Sequence, residues 1–524
     1  MTWPAARIAA QESSRIGMSV ALRIGRQLSG AGINDGSILA ASDPALGPDL
    51  TLDAASLTGT GTTLSPRSWE RGAGAWSVVV VLPAVMDAGR AQDIAARLRR
   101  GALVEVLVSA GAGDLGDYLR FGLGVLSAVT STGPRVLTLE VYDLFYALRS
   151  RPYASLDGSG LPQTRLFHDL AGTETTTASN WINGSSTSLT LTSAAGFETI
   201  GGTGALRIED NDGAVIYLTF TGKSGNTLTG VSTTAQLGTT SSKNAASGNT
   251  AISSVYFDDH PLIIALQLLC STGTGSNGVY DVYPVQSGFA IDQGWIDLER
   301  IRSVKREILT PETGAYDWRF AVDDPVPDGL VWLSSLISES GIGLCIRQGQ
   351  IAAWAAQSLA SYDLPSFTIT DDMIDGYVDV HWYDPASKFS YNRVQIDTAA
   401  DSSESILPVT VLPARDEIIY NLADQIRDNE VKVRTMLAGL LADWCHYPPE
   451  VVRLTLRGAL HGLAEGDVGT LTTARARGRL VSTSDGYSAR AAMITEYHAD
   501  PISGQTQITL MITPSSPSDD YAQN

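Results

Sequence analysis

Trp76-Ser77-Val78-Val79-Val80-Val81-Leu82 reads as a buried β-run, and the residues after it set the plan of the chain. Ala91 to Arg100 places Ile94, Ala95 and Leu98 on one helical stripe. Leu103–Val108, Tyr118–Leu126 and Arg135–Tyr142 come next, the last alternating Val136 against Leu137, Leu139 and Val141. The order is strand, helix, strand, hairpin, strand.

A similar order returns near the other end. Val431 to Trp444 is a helical pattern with Val433, Met436, Leu437, Leu440 and Leu441 inward. Val451–Leu456, Asp467–Thr472, Arg479–Thr483, Ala491–Tyr497 and Gln505–Thr513 come after it as strands. Element order, without residue-level identity, makes 76–142 and 427–513 two copies of one plan: a helix packed on a strongly bent sheet or small barrel.

Between them, Ala171 to Ser254 is built from Thr, Ser, Gly and Asn with isolated apolar residues. Short strands are expected at Leu189–Leu191, Leu206–Ile208, Ala214–Phe220 and Leu228–Val231. Asp212-Gly213 suits a tight hairpin, and Gly222–Asn226 tolerates positive φ. Further on, His260–Leu269 is an apolar helix with Asp258-Asp259 as its expected N-cap pair. A polar helix is expected at Asp297–Glu307 and an apolar one at Asp328–Ser340. Leu344–Arg347 and Gln350–Trp354 form a hairpin around Gln348-Gly349, and Phe367–Thr370, Val378–Trp382 and Asn392–Ile396 are strands. At the start, a helix is expected at Ala5–Ile16 and a strand near Ser19–Ile24.

The expected fold class is therefore α+β and β-rich, with several domains. Two related tube-like barrel domains, each with a packed helix, flank a small inserted all-β module and a helix–hairpin middle domain. The expected divisions are 1–170 (first barrel with an N-terminal arm), 171–256 (module), 257–400 (middle), 401–514 (second barrel) and 515–524 (flexible tail).

The 524 residues are too many for one ordinary core. Hydrophobic residues at 44% and charged residues at 18% describe a globular chain. The net charge of −20, with no basic cluster beyond Arg97, Arg99 and Arg100, argues against sustained nucleic-acid binding. It suits solubility, or life beside DNA without adhesion. Cys270, Cys345 and Cys445 lie far apart in apolar surroundings and form neither a disulfide framework nor a Cys-x-x-Cys site. Gln11, Glu12 and Arg15 stand where a signal peptide needs an apolar run, and no long apolar segment offers a membrane anchor. Synthesis in a reducing cytoplasm is expected.

Motifs for chemistry are weak. Gly111-x-Gly113-x-x-Gly116 precedes a strand and Gly273-x-Gly275-x-x-Gly278 closes a helix, so both read as turns rather than dinucleotide loops. The histidines (168, 260, 381, 446, 461 and 498) contain no metal-ligand spacing, and Cys445-His446 reads as a helix end. Glu209-Asp210-Asn211-Asp212-Gly213 lacks the downstream glutamate of a calcium loop and reads as a hairpin turn. Asp323-Asp324 and Asp371-Asp372 precede apolar stretches, as helix caps do. No catalytic, cofactor-binding or metal-binding residue is assigned, no cofactor is expected, and nothing asks for an enzyme.

Three stretches carry a resemblance. Leu189–Phe197, Gly204–Ile208, Tyr217–Val231 and Leu237–Thr240 together resemble a small β-module of bacteriophage tail proteins. That module usually has Arg-Gly before its final Gly-Thr and His-Ala-x-Gly after it, whereas Thr233–Leu237 and Lys243–Gly248 stand here. Asp259–Leu269 with Ser271–Gly278, and Trp318 to Trp354, are similar to baseplate or tail-tip hub proteins of long-tailed phages and gene transfer agents. The resemblance implies a homotrimeric virion protein at the tail tip. Its two barrel domains per chain would adapt a sixfold tail tube to a threefold tip and form part of the DNA channel, letting the genome pass unbound. The implied partners are the distal tail protein ring, the tape-measure C-terminus and a central fibre or tip protein. A receptor- or carbohydrate-binding tail protein is the alternative, with Trp181, Tyr217 and Phe220 as its candidate aromatics, and a tail-associated cell-wall hydrolase is a third reading.

Overall fold

The computed structural model describes residues 19–26, 38–59, 62–64, 71–72, 74–109, 114–144, 153–156, 162–165, 172–197, 199, 203–233, 244–270, 291, 293–309, 318–322, 333, 337, 342–347, 349–355, 367–382, 391–397, 402–406, 416–421, 450–458, 462–476 and 486–512. The helices expected at Ala5–Ile16 and Val431–Trp444, the strand at Arg479–Thr483, Asp323-Asp324, Cys445-His446, the 515–524 tail and most of both Gly-x-Gly motifs lie outside these residues.

The valine-rich run is strand β6 (Ala75–Val81) of a closed barrel. Its other strands are β1 (Ser19–Arg26), β2 (Ile38–Ala41), β3 (Leu50–Gly59), β7 (Leu103–Ser109), β8 (Leu119–Gly133) and β9 (Val136–Asp143), in the order β1-β2-β3-β6-β9-β8-β7. The ladder between β1 and β7, from Ser19 opposite Ser109 to Arg26 opposite Leu103, closes the ring. Alternation sends Val20, Leu22, Ile24, Val78, Val80, Val104, Val106 and Val108 to the inside, where they fill the lumen with one apolar cluster. The barrel is a packed core and has no room for a pore.

The helix following β6 spans Ala88–Arg97, beginning before Ala91 because Asp87 caps it by accepting from the Arg90 N–H at 2.8 Å. Its buried Ile94 joins the barrel cluster. β8 runs past the expected end at Leu126 to Gly133, since its Ser- and Thr-rich arm pairs with β9 although it is exposed.

From β3 the chain makes a short hairpin, β4 (Thr62–Leu64) with β5 (Arg71–Gly72), which leaves the barrel. A further hairpin, β10 (Tyr153–Leu156) with β11 (Pro162–Arg165), follows the barrel. The Thr/Ser/Gly-rich segment forms β12 (Glu174–Thr176), β13 (Ser188–Thr190), β14 (Gly204–Glu209), β15 (Val215–Phe220), β16 (Gly222–Ser224), β17 (Thr227–Thr229), β18 (Ser232–Thr233) and β19 (Thr250–Asp259). Its isolated apolar residues converge on a separate core of Trp181, Leu189, Phe197, Leu206, Ile208, Ile216, Leu218 and Phe220 with their neighbours. Asp210 organises the turn before β15, accepting from the N–H groups of Asp212 at 2.9 Å and Ala214 at 2.7 Å.

β19 leaves the module to pair with β20 (Trp318–Val322) and leads into the helix Pro261–Cys270, apolar on nearly every side and buried accordingly. Asp258 and Asp259 belong to β19. The cap is His260, whose carbonyl accepts from Ile264 at 3.0 Å and whose Nδ1 accepts from the Leu262 N–H at 3.1 Å. The polar helix spans Leu298–Leu309, capped by Asp297 accepting from the Arg300 N–H at 3.0 Å. Leu333 and Ile337 are helical and buried. The expected middle hairpin is β21 (Ile342–Arg347) with β22 (Gln350–Ala355).

A second β-body combines β23 (Thr368–Ile369), β24 (Ile374–Trp382), β28 (Glu450–Arg457), β29 (Val468–Thr473), β30 (Tyr487–Asp500) and β31 (Gln505–Ile512), ordered β23-β29-β30-β31-β28-β24. A small sheet of β25 (Tyr391–Asp397), β26 (Ser402–Ile406) and β27 (Asp416–Asn421) lies between β24 and β28 in sequence. The six-stranded sheet curls round one core, and Ile369 and Ile374 from its opposite edges share that core with Val452, Leu471, Ile494 and Leu510. Asp371 and Asp372 sit in the tight turn joining the edges rather than at a helix start. Among the described residues the chain is β-rich with few helices, one closed seven-stranded barrel and one curled half-barrel.

Candidate functional site: a junction between the two β-bodies

Buried charge gathers on both sides of the β21–β22 hairpin. On the barrel side, β7 is buried along its whole length. Its even-numbered valines point into the lumen, so Glu105 must project outward, where it is nevertheless covered. Glu105 Oε1 accepts from Arg120 Nε at 2.9 Å and Oε2 from Arg23 Nη1 at 3.4 Å, so neighbouring strands neutralise the carboxylate. The Arg120 guanidinium also stacks over the Trp295 ring, 4.4 Å from its centroid. Trp295 lies beside the hairpin: Gln350 Nε2 donates to the Gly294 carbonyl at 3.1 Å and Asp297 N–H to that of Ile351 at 2.8 Å.

The hairpin turn meets the same arginine. Gly349 has φ +69°, and a Cβ there would collide with Arg120 Cγ. Only glycine provides both the backbone conformation and the approach.

On the opposite side, Arg347 pairs with Asp467 of the second body, and Arg300 stands 3.8 Å from the same carboxylate. Asp467 is fully buried and also accepts from the Ala464 N–H at 3.0 Å. Burial alone would lower the Arg347 pKa, but the Asp467 carboxylate overrides it and raises the value above that of a free guanidinium. Beside this pair the Trp354 ring lies over Gly343 and Gly466; a Cβ on either would collide with it. Burial, with smaller contributions from Glu465 and Asp467, also pushes the neighbouring Tyr497 phenol upward.

A direct link runs alongside. β4, leaving the first barrel, adds to β30 of the second body with Thr63 opposite Glu496 and Thr62 opposite Tyr497. Ile502, between β30 and β31, packs against the barrel cluster. The two β-bodies are thus joined by a strand addition, an apolar contact and a hairpin held by arginines on both sides.

The residues singled out in the sequence fall elsewhere. Trp181 and Phe220 are core residues of the inserted module and cannot present a flat face to a sugar, and Tyr217 is half-buried. Glu209–Gly213 is a hairpin turn whose Asp210 Oδ1 accepts from two main-chain N–H groups. Cys270 and Cys345 are buried and form no disulfide. Among the described residues, no three His, Cys, Asp or Glu side chains gather as a metal ion would require, and no helix is long and apolar enough to cross a membrane. Sequence reading misses the junction because its partners are remote: 120 positions separate Arg347 from Asp467. Gly349 and Gly466 both stand in turns with positive φ, so a turn requirement alone accounts for them in the sequence, and the side chains of Arg120 and Trp354 that crowd them leave no local signal.

No protein-family model and no curated protein matches the chain. Among solved structures it is similar to the prophage tail protein gp18 of Listeria monocytogenes EGD-e, at 8% identity and a TM-score of 0.39 over 95% of each chain. It is also similar to the 43 kDa tail protein of prophage MuSo2 from Shewanella oneidensis, at 9% identity and a TM-score of 0.37, over 95% of this chain and 98% of that one. A component of a native gene transfer agent virion aligns over 47% of this chain and 84% of its own, at 14% identity and a TM-score of 0.21. These three are tail or virion proteins.

Proposed function

We propose that the chain is a structural protein of a bacteriophage tail, a baseplate or tail-tip hub that works as a homotrimer. The observation that carries this reading is the junction: two β-bodies in one chain, locked to each other through an intervening hairpin. Three copies of such a pair would give six similar bodies in a ring, the geometry needed to join a sixfold tube to a threefold tip. On this reading 1–170 is the first ring-forming domain and 171–256 an outward insertion; the second ring-forming domain, expected over 401–514, also takes in β23 and β24 from the expected 257–400 segment, whose remainder is the brace. The packed lumen of the first barrel means that a DNA channel would run between copies, not through a barrel. A net charge of −20 would let DNA pass that channel without adhering. The neighbours would be the distal tail ring, the tape-measure C-terminus and a central fibre or tip protein, and no catalysis is required.

Light scattering on the purified protein, with low-resolution particle images, tests the assembly: a threefold ring is expected. Quantitative mass spectrometry of isolated tails should find three copies per particle. Absence from isolated tails would overturn the assignment.

A further inference from the structure

Among the described residues the second β-body has no ladder between its edge strands. β23 pairs in parallel with β29 through only Thr368 opposite Thr470 and Ile369 opposite Leu471, and β24 pairs with β28. Among the described residues no pairing joins β23 to β24. The edges share a core and are spanned by polar side chains at the end of β29. Arg475 Nη1 donates to the carbonyls of Ile374 at 3.0 Å and Gly376 at 3.1 Å, both on β24. Asp371, in the turn between the edges, accepts from the Thr473 hydroxyl and from the Ala474 N–H at 3.0 Å, and lies 3.5 Å from Arg475 Nε. One guanidinium therefore does at this seam what a row of main-chain hydrogen bonds does between β1 and β7.

We propose that this seam is a latch. Releasing Arg475 from the β24 carbonyls lets the second body open between β24 and β29 while the first barrel stays shut. The asymmetry arises from the bonds involved. The β1–β7 ladder breaks only cooperatively, whereas among the described residues the seam is bridged, beyond the single main-chain bond from Met373 N–H to the Thr370 carbonyl in its turn, by one half-exposed side chain and one carboxylate. In a chain carrying two β-bodies, only the second can change its aperture without unfolding.

Hydrogen–deuterium exchange on the full-length protein tests this, comparing wild type with Arg475→Gln and Arg475→Lys. Exchange in peptides covering 367–382 and 470–476 should rise about tenfold in Arg475→Gln, the loss expected for charge-assisted hydrogen bonds to two carbonyls. Arg475→Lys, keeping the charge but lacking the fork, should fall between the two. Peptides covering 19–26 and 103–109 should not change. Unaltered exchange at 367–382 in Arg475→Gln would overturn the proposal, as would an equal rise in both bodies. Wild type gives an independent check that needs no variant: equal protection of 367–376 and 103–109 would also overturn it.

Discussion

The first barrel and the second β-body bury similar interiors of Val, Leu and Ile but close them in opposite ways. The first is shut by a full ladder, and one of its buried carboxylates, Glu105, sits outside the ring within reach of Arg23 and Arg120. The second is latched by Arg475 and places one of its buried carboxylates, Asp467, at the contact with the hairpin. Similar apolar content thus does not imply similar stiffness. What differs is whether closure uses main-chain groups, which break together, or side chains, which break one at a time. The first body is suited to be a fixed frame and the second to rearrange.

The largest test removes the charge between hairpin and second body. Asp467→Ala would leave Arg347 buried without its carboxylate, a change worth about 3–5 kcal/mol. Thermal unfolding should then show the second body melting ahead of the first barrel. A single undivided transition, shifted as a whole, would mean that the two bodies are one cooperative unit. Glu105→Gln is the converse test on the first body. Arg23 and Arg120 retain some access to water, so the expected loss is smaller, about 2 kcal/mol. It should fall on protection of β1, β7 and β8 and leave the Arg475 seam unaffected.

Much of this comparison is legible locally and its decisive part is not. Trp76–Leu82, Val451–Leu456 and the turn at Asp212-Gly213 declare themselves through composition and spacing, and each lies at or within two residues of its expected place. Closure is a different kind of property. Nothing in Ser19–Ile24 says that it meets Leu103–Val108, because pairing between remote strands leaves no periodic trace. Asp371 reads as a helix cap because carboxylates before apolar runs cap helices; the apolar run here is an edge strand, and the same acceptor chemistry serves Ala474 from across the seam. Trp181 and Phe220 read as candidate exposed aromatics because a segment so rich in Thr, Ser and Gly shows few apolar residues. Those few are its entire core.

Alkaline pH supplies a gentler probe of the second body. The Tyr487 hydroxyl donates to the buried Glu450 carboxylate at 2.6 Å, and burial, then that neighbouring charge, raises its pKa well above the ordinary phenol value of 10.0. Tyr497 is raised chiefly by burial. For a phenol the raised folded value means that the native state keeps its proton longer. The contribution is therefore complete below about pH 10 and lost as pH rises through the folded value. Denaturant midpoints should fall above about pH 10 in the wild type. Tyr487→Phe should lose about 1–2 kcal/mol at neutral pH and show a shallower alkaline decline.

The smallest expected effect lies at acid pH and bears directly on the seam. The Thr473 hydroxyl and the Ala474 N–H, with a weaker contribution from Arg475, hold the Asp371 carboxyl below its ordinary value of 3.8. A depressed folded value contributes stability that is present above the unfolded value and lost as pH falls through the folded one. Acid should therefore loosen the second body first, below about pH 4, with the first barrel unaffected in that window by this group. Asp371→Asn would abolish the dependence, giving at neutral pH the seam that the wild type reaches only in acid. Denaturant midpoints tracked separately for the two bodies between about pH 3 and 6 provide the measurement. If Asp371→Asn steepened the acid limb, the carboxylate would be straining the seam rather than holding it, and the second body's looser closure would have to come from the short β23 edge alone.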